Sequence, residues 1–186
     1  SKITGKGVLM GDSMKNLYMD NGATSFPKAP GVSESMCNYL NHVGASVNRG
    51  VYHNSHEAEN TLYETRELLC SLFDFDQPEN VVFTKNVTES LNVLLKGVFR
   101  KGDHVIVSSV EHNAVMRPLN ALKERGIDYT RIMCDKNGAI RAEDILPAIK
   151  PNTKGVVMTH ASNVSGTILP LEKVGDICQE KGLVFI

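Results

Sequence analysis

From Val81 onward short apolar runs alternate with amphipathic stretches over short connections. That alternation constrains the fold more than any other feature, because strand, helix, strand in succession builds βαβ units. Such units give an α/β architecture, a mainly parallel sheet with helices on both faces. Residues 81–84, 104–108, 128–133, 154–159 and 183–186 read as strands. Between them, 87–99 reads as a helix with Leu91, Leu94, Leu95 and Val98 on one face. Residues 113–125 read as a helix stopped by Gly126, 143–150 as a short helix despite Pro147, and 171–181 as a helix. The first half is more helical. Residues 31–40 and 56–73 carry helical spacing, and the polar stretch 41–55 reads as a loop between them.

Charge narrows the partners. Twenty Lys plus Arg oppose 21 Asp plus Glu in 186 residues, a net charge of −1, and the basic residues come as isolated pairs such as Arg100-Lys101. That pattern lacks the footprint of a phosphate-backbone binder, so nucleic acid and anionic membrane are not expected partners. No apolar run approaches the roughly 20 residues of a membrane span, and the N-terminus lacks the apolar stretch of about 7–15 residues found in a secretory signal. The expected location is cytoplasmic. Cys37, Cys70, Cys134 and Cys178 are far apart and unpaired in sequence, and read as small buried hydrophobes in a reducing compartment. Residues 1–13 read as an added leader or a loose arm ahead of a start at Met14, and 14–186 as the N-terminal part of a larger domain. The final apolar run, GLVFI at 182–186, reads as a core strand that would ordinarily lead on into a loop at the edge of a site.

Ligands of a parallel α/β sheet bind at the carboxyl ends of its strands, and three strand exits carry unusual polar content. In TKNVTES (84–90), Asn86 followed by Glu89 resembles a capping box, which makes Val87 and Thr88 the first helical residues. Their free N–H groups and the Thr88 hydroxyl suit a phosphate, or the segment is simply a capped helix. In SSVEHN (108–113), His112 can serve as a base, stack on an aromatic ligand, or cap the next helix. In HASNVSGT (160–167), Asn163 brings a donor and an acceptor to the sheet edge, or forms an Asx-turn before Gly166. His53 and His56 lie near Glu57 and Glu59, yet no second ligand pair at zinc-like spacing accompanies them, and no metal is expected. GxGxxG, GxxxxGK[ST] and GxSxG are all absent from the sequence, which removes the main support for dinucleotide, P-loop and α/β-hydrolase readings.

Four segments, YMDNGAT (18–24), FTKNVTESLN (83–92), VEHNA (110–114) and THASNVSGT (159–167), resemble in order and spacing the class V aminotransferase family of pyridoxal-phosphate enzymes. Within that family they are similar to the cysteine desulfurases and selenocysteine lyases. The resemblance implies part of the large domain of a fold-type I transferase, with pyridoxal 5'-phosphate as cofactor and a small amino acid, cysteine or selenocysteine, as substrate. It also implies a homodimer and a sulfur-acceptor protein. Val87 and Thr88 match the phosphate-binding turn, and His112 matches the histidine that stacks on the pyridine ring and assists proton transfer. Asn163 matches an asparagine near the phenolic oxygen and the substrate carboxylate, while Ala23, between Gly22 and Thr24, matches a segment at the site entrance. Asn86 departs from the glycine of many relatives; asparagine tolerates the same turn. The family's pyridinium-pairing aspartate, Schiff-base lysine, catalytic cysteine and carboxylate-binding arginine match nothing up to Ile186. None of the four cysteines is therefore expected to be catalytic, and these residues alone are expected to be inactive. Another class V aminotransferase or lyase and a non-catalytic α/β binding fragment are the alternative readings.

Overall fold

The structure, a computed structural model, describes residues 17–47, 50 and 52–186. The leader or arm expected at 1–13 lies outside the described residues. The chain divides after Leu62 into two units.

In the first unit the polar start closes on itself. The Tyr18 hydroxyl donates to the carbonyls of Asp20 and Thr24 at 3.0 and 2.9 Å, and its ring meets Phe26 edge-on at 5.6 Å. The same turn carries Ala23, exposed, its N–H bonded to the Asp20 carbonyl. Helix α1 (Val32–Asn38) continues into a wider turn at Tyr39–Val43. Helix α2 (His53–Phe73) starts earlier than its spacing suggests, because Asn54 donates to the His42 and Val43 carbonyls and anchors the first turn. That places His53 and His56 on a helix, where they face Glu57 at 3.2 Å and Glu59 at 3.7 Å as i,i+4 and i,i+3 pairs. Among the described residues, no three ligating side chains gather as a metal site would require.

The second unit holds a four-stranded sheet. Strands β1 (His104–Ser108), β2 (Asp128–Ile132), β3 (Thr153–Val157) and β4 (Val184–Phe185) lie in the order β2-β1-β3-β4, every pairing parallel. Helices α3 (Val87–Val98) and α4 (Asn113–Lys123) cover one face. A 3₁₀ segment at Ala142–Ala148 and helix α5 (Leu171–Lys181) cover the other. Strand β1 is buried at all five positions, and its side chains alternate between the faces. Val105 and Val107 pack with Leu95, Phe99 and Leu119, whereas Ile106 packs with Ile132, Ile145 and Val174. The edge strand β2 is wetter, its Tyr129 ring lying between Lys123 and Arg131 at 5.7 and 5.6 Å. In β3, a Cβ on Gly155 would stand 2.7 Å from the Val184 carbonyl oxygen, so β4 reaches its place only because that side chain is missing.

Three sequence readings are corrected. Residues 81–84 run extended but join no ladder among the described residues, with Val82 77% exposed; an apolar β-type run is a strand only when a neighbour offers it hydrogen bonds. The expected helix at 143–150 is a 3₁₀ segment, since Pro147 lacks the N–H that an α-turn would use. Cys70 and Cys178 are buried as expected and Cys134 is half-buried, but Cys37 is exposed on α1.

One polar residue sits inside the sheet. His104 is 1% exposed, and its Nδ1 and Nε2 each meet a threonine hydroxyl at 2.8 Å, Thr153 on β3 and Thr130 on β2. Burial, helped by the charge of Lys150, lowers its pKa below the ordinary 6.5, so the folded protein holds the ring neutral. The unfolded chain binds a proton near pH 6.5 that the folded chain refuses. This contribution to stability is therefore complete above about pH 6.5 and is lost as the pH falls below it. Urea midpoints at stepped pH values will decline through that window, and His104→Asn, which cannot titrate, will flatten that part of the decline.

Candidate active site

The site is assembled where the strands end. Ahead of α3, Asn86 is the N-cap, and its Oδ1 accepts the Glu89 N–H at 2.9 Å. Glu89 returns a bond one residue further back than a standard capping box, to the Lys85 N–H at 2.8 Å. Thr84 adds a third tie, its hydroxyl 2.5 Å from that of Ser90. These bonds fix the entry of the chain and leave the N–H groups of Val87 and Thr88 without a partner among the described residues. Two unpaired donors at the positive end of a three-turn helix form a concave anion seat.

The second wall comes from the exit of β1. His112 is the N-cap of α4, its Nδ1 accepting the Ala114 N–H at 3.0 Å. With Nδ1 committed as acceptor, the neutral ring carries its proton on Nε2. Of the three readings raised for this histidine the structure shows the cap, and the exposed ring also borders open space. The residue before it, Glu111, places Oε1 against the Ser108 hydroxyl and, at 2.8 Å, the Thr159 N–H. Burial raises the Glu111 carboxyl above the ordinary carboxylate range, although the bonds from Ser108 and Thr159 pull the other way.

Two adjoining cavities share His112. The smaller, about 220 Å³, lies against Val87, Glu111, Met158, Thr159 and Ile186. Its lining is mainly apolar, with Leu91, Val115 and Val157 among the lining residues and Glu111, His112 and Thr159 as the polar members. The larger, about 370 Å³, runs between α3 and α4 past Thr88, Asn92, Lys96 and Arg117. Val87, Thr88 and His112 are thereby brought together at the carboxyl end of the sheet.

Asn163 stands apart. It is exposed on the loop after β3 and lines neither of these cavities. The turn before Gly166 is also not the Asx-turn that Asn163 could have made. Ser162 supplies the acceptor instead, its hydroxyl taking the N–H groups of Val164 and Ser165 at 3.2 and 3.3 Å. Sequence reasoning did not single out Glu111, Lys96 or Arg117 as lining residues, and for Lys96 alone a signal existed. The spacing of Thr88, Asn92 and Lys96, four residues apart on one helix face, was the available signal.

The arrangement resembles known proteins across nearly its whole length. The family model described as aminotransferase class-V matches residues 17–186. Over 175 residues the chain is 32% identical to a Vibrio campbellii protein named cysteine desulfurase IscS, a match covering 91% of this chain and 43% of that one. The apo structure of a cysteine desulfurase from Thermococcus onnurineus superposes with a TM-score of 0.80 at 32% identity, covering 89% of this chain and 42% of that one. A structure described as SspA in complex with cysteine gives 0.81 at 31% identity, covering 90% and 49%. The chain thus spans less than half the length of each of these proteins.

If the cap sets the anion seat, removing it has a local cost. Asn86→Ala is expected to destabilise the protein by about 1 kcal/mol. Chemical denaturation checks this, with an unchanged m-value indicating that the fold is otherwise intact.

Proposed function

The chain belongs to the aminotransferase class-V family, and from that premise we propose that the whole protein is a pyridoxal-phosphate-dependent cysteine desulfurase. The reaction takes sulfur from L-cysteine, leaves L-alanine, and holds the sulfur as a persulfide on the enzyme; selenocysteine is the analogous substrate. One observation carries the reading: the unpartnered N–H groups of Val87 and Thr88 and the ring of His112 border adjoining cavities at the carboxyl end of a parallel sheet.

The residues present fit the cofactor. A phosphate suits the start of α3, a helix of 12 residues whose first two N–H groups have no partner among the described residues and whose second residue is Thr88. A flat aromatic ring suits a cavity lined by His112 together with the apolar side chains of Val115 and Val157. Bound there, pyridoxal phosphate would supply an electron sink for bond cleavage at the substrate. The protein's part is to seat the phosphate, to line the ring's space with apolar side chains, and to present the His112 Nε2–H beside it as a hydrogen-bond donor, the position from which the resemblance has this histidine assist proton transfer. In this reading Asn163 serves the phenolic oxygen and the substrate carboxylate, and Ala23 keeps the entrance role that the family resemblance implies. A homodimer, a sulfur-accepting protein partner and a cytoplasmic location complete the proposal. Among the described residues no helix is long and apolar enough to cross a membrane.

Supplying the whole protein with pyridoxal phosphate and cysteine tests the reading. Alanine and, with a thiol present, sulfide should form in equal amounts. A keto acid without sulfide would instead mark an aminotransferase, and no turnover of any amino acid would favour a binding module. Thr88→Ala should remove one charge-assisted hydrogen bond and weaken cofactor affinity about tenfold to a hundredfold, equivalent to roughly 1.5–3 kcal/mol, when apo-protein is titrated with pyridoxal phosphate.

A further inference from the structure

Glu111 has no role in the reading above, yet its carboxylate occupies the junction of the two loops that carry His112 and Asn163. Oε1 accepts from Ser108, the last residue of β1, and from the Thr159 N–H two residues beyond the end of β3. The β1–β3 register stops at Val107 and Val157. The side chain therefore takes over the pairing of the two strands where the backbone ladder gives out.

The opposite side of the same loop is tied just as closely. The Ser109 N–H donates to the Ile132 carbonyl at 2.9 Å, and the Ser109 hydroxyl accepts the Cys134 N–H at 2.9 Å. The loop from Ser109 to His112 is thus fastened to β2 on one flank and to the exit of β3 on the other. His112 is the first residue after the second fastening. Oε2 of Glu111 is buried with no partner among the described residues. An unsatisfied carboxylate oxygen in the interior is a net cost to the fold, so stability alone does not account for a carboxylate here.

We propose that Glu111 is a positioning residue of the site: its carboxylate locks the His112 loop to the loop that begins at Thr159, fixing both with respect to the ligand between them. The identity of that ligand rests on the proposed function; the coupling of the loops rests on the hydrogen bonds alone. A misplacement of about 1 Å at a reacting group can lower a rate about a hundredfold, which sets the scale of effect expected from loosening the lock.

The test uses the whole protein with three substitutions. Glu111→Ala removes both bonds. Glu111→Asp is one methylene short and cannot serve both donors, which keeps the test available if the alanine variant fails to fold. Glu111→Gln retains an oxygen that can accept from both. In cofactor-free protein, the Thr159 amide should exchange with deuterium about tenfold faster or more in the Ala or Asp variant, with near wild-type protection in the Gln variant. Nitrogen NMR of the His112 ring should report a single Nε2–H tautomer in wild type and Gln, and a mixture in Ala or Asp. In loaded protein, kcat for cysteine should fall about tenfold to a hundredfold in the Ala or Asp variant with a smaller change in KM, and the Gln variant should recover most of the rate. Unchanged amide exchange and an unchanged His112 tautomer in the Ala or Asp variant would overturn the inference. Altered exchange and tautomer in the Ala or Asp variant, together with a wild-type protein that binds no pyridoxal phosphate, would uphold the coupling and refute the cofactor reading.

Discussion

Burial of β1 on both faces is the constraint on which the rest of this structure depends. Its five residues are all below 2% exposed, and it pairs on both edges, so no polar group of the strand can be satisfied by water. His104 at its entrance and Ser108 at its exit are the two side chains that need partners, and each finds them on neighbouring segments: Thr130 and Thr153 for the first, Glu111 for the second. The polar residues of the central strand are thus fasteners at its two ends, and the apolar residues between them divide the core into two layers. Because the strand is fixed so fully, the loop that leaves it begins from a defined point, and His112 inherits that definition.

The same economy governs the two helix starts. At α3 the cap, Asn86, consumes the third N–H and leaves the first two free, while at α4 the cap is His112 itself, whose other nitrogen remains outside. A capping interaction and a binding function are often treated as competing explanations for a polar residue. Here the cap decides which donors remain for a ligand and which face of the imidazole is presented. The proposed phosphate seat and the proposed ring contact both follow from how the chain closes its helices.

Much of the fold was legible because its signals are local. The run at 104–108 is continuously apolar from Val105 to Val107, as a strand covered on both sides must be, and Gly126 and Gly182 end their helices with φ of 84° and 63°. What was not legible is relational. Residues 81–84 carry the composition of a strand but have no ladder partner among the described residues, and nothing within a sequence segment states whether a neighbouring strand exists. Ser162, rather than Asn163, builds the turn before Gly166, a choice between adjacent residues that turn preferences do not decide. Glu111 sat unremarked beside a candidate histidine because its importance lies in reaching Thr159, 48 positions away. The apolar neighbours of Cys37 suggest burial, yet every residue of α1 is exposed.

The central claim is that the first turn of α3 and the ring of His112 together define one cofactor site. A crystal structure of the whole protein grown with pyridoxal phosphate tests it most directly. The account predicts phosphate oxygens about 2.7–3.2 Å from the N–H groups of Val87 and Thr88, with the pyridine ring lying against the His112 imidazole. A phosphate bound at another helix terminus, or a ring more than one side chain away from His112, would contradict it.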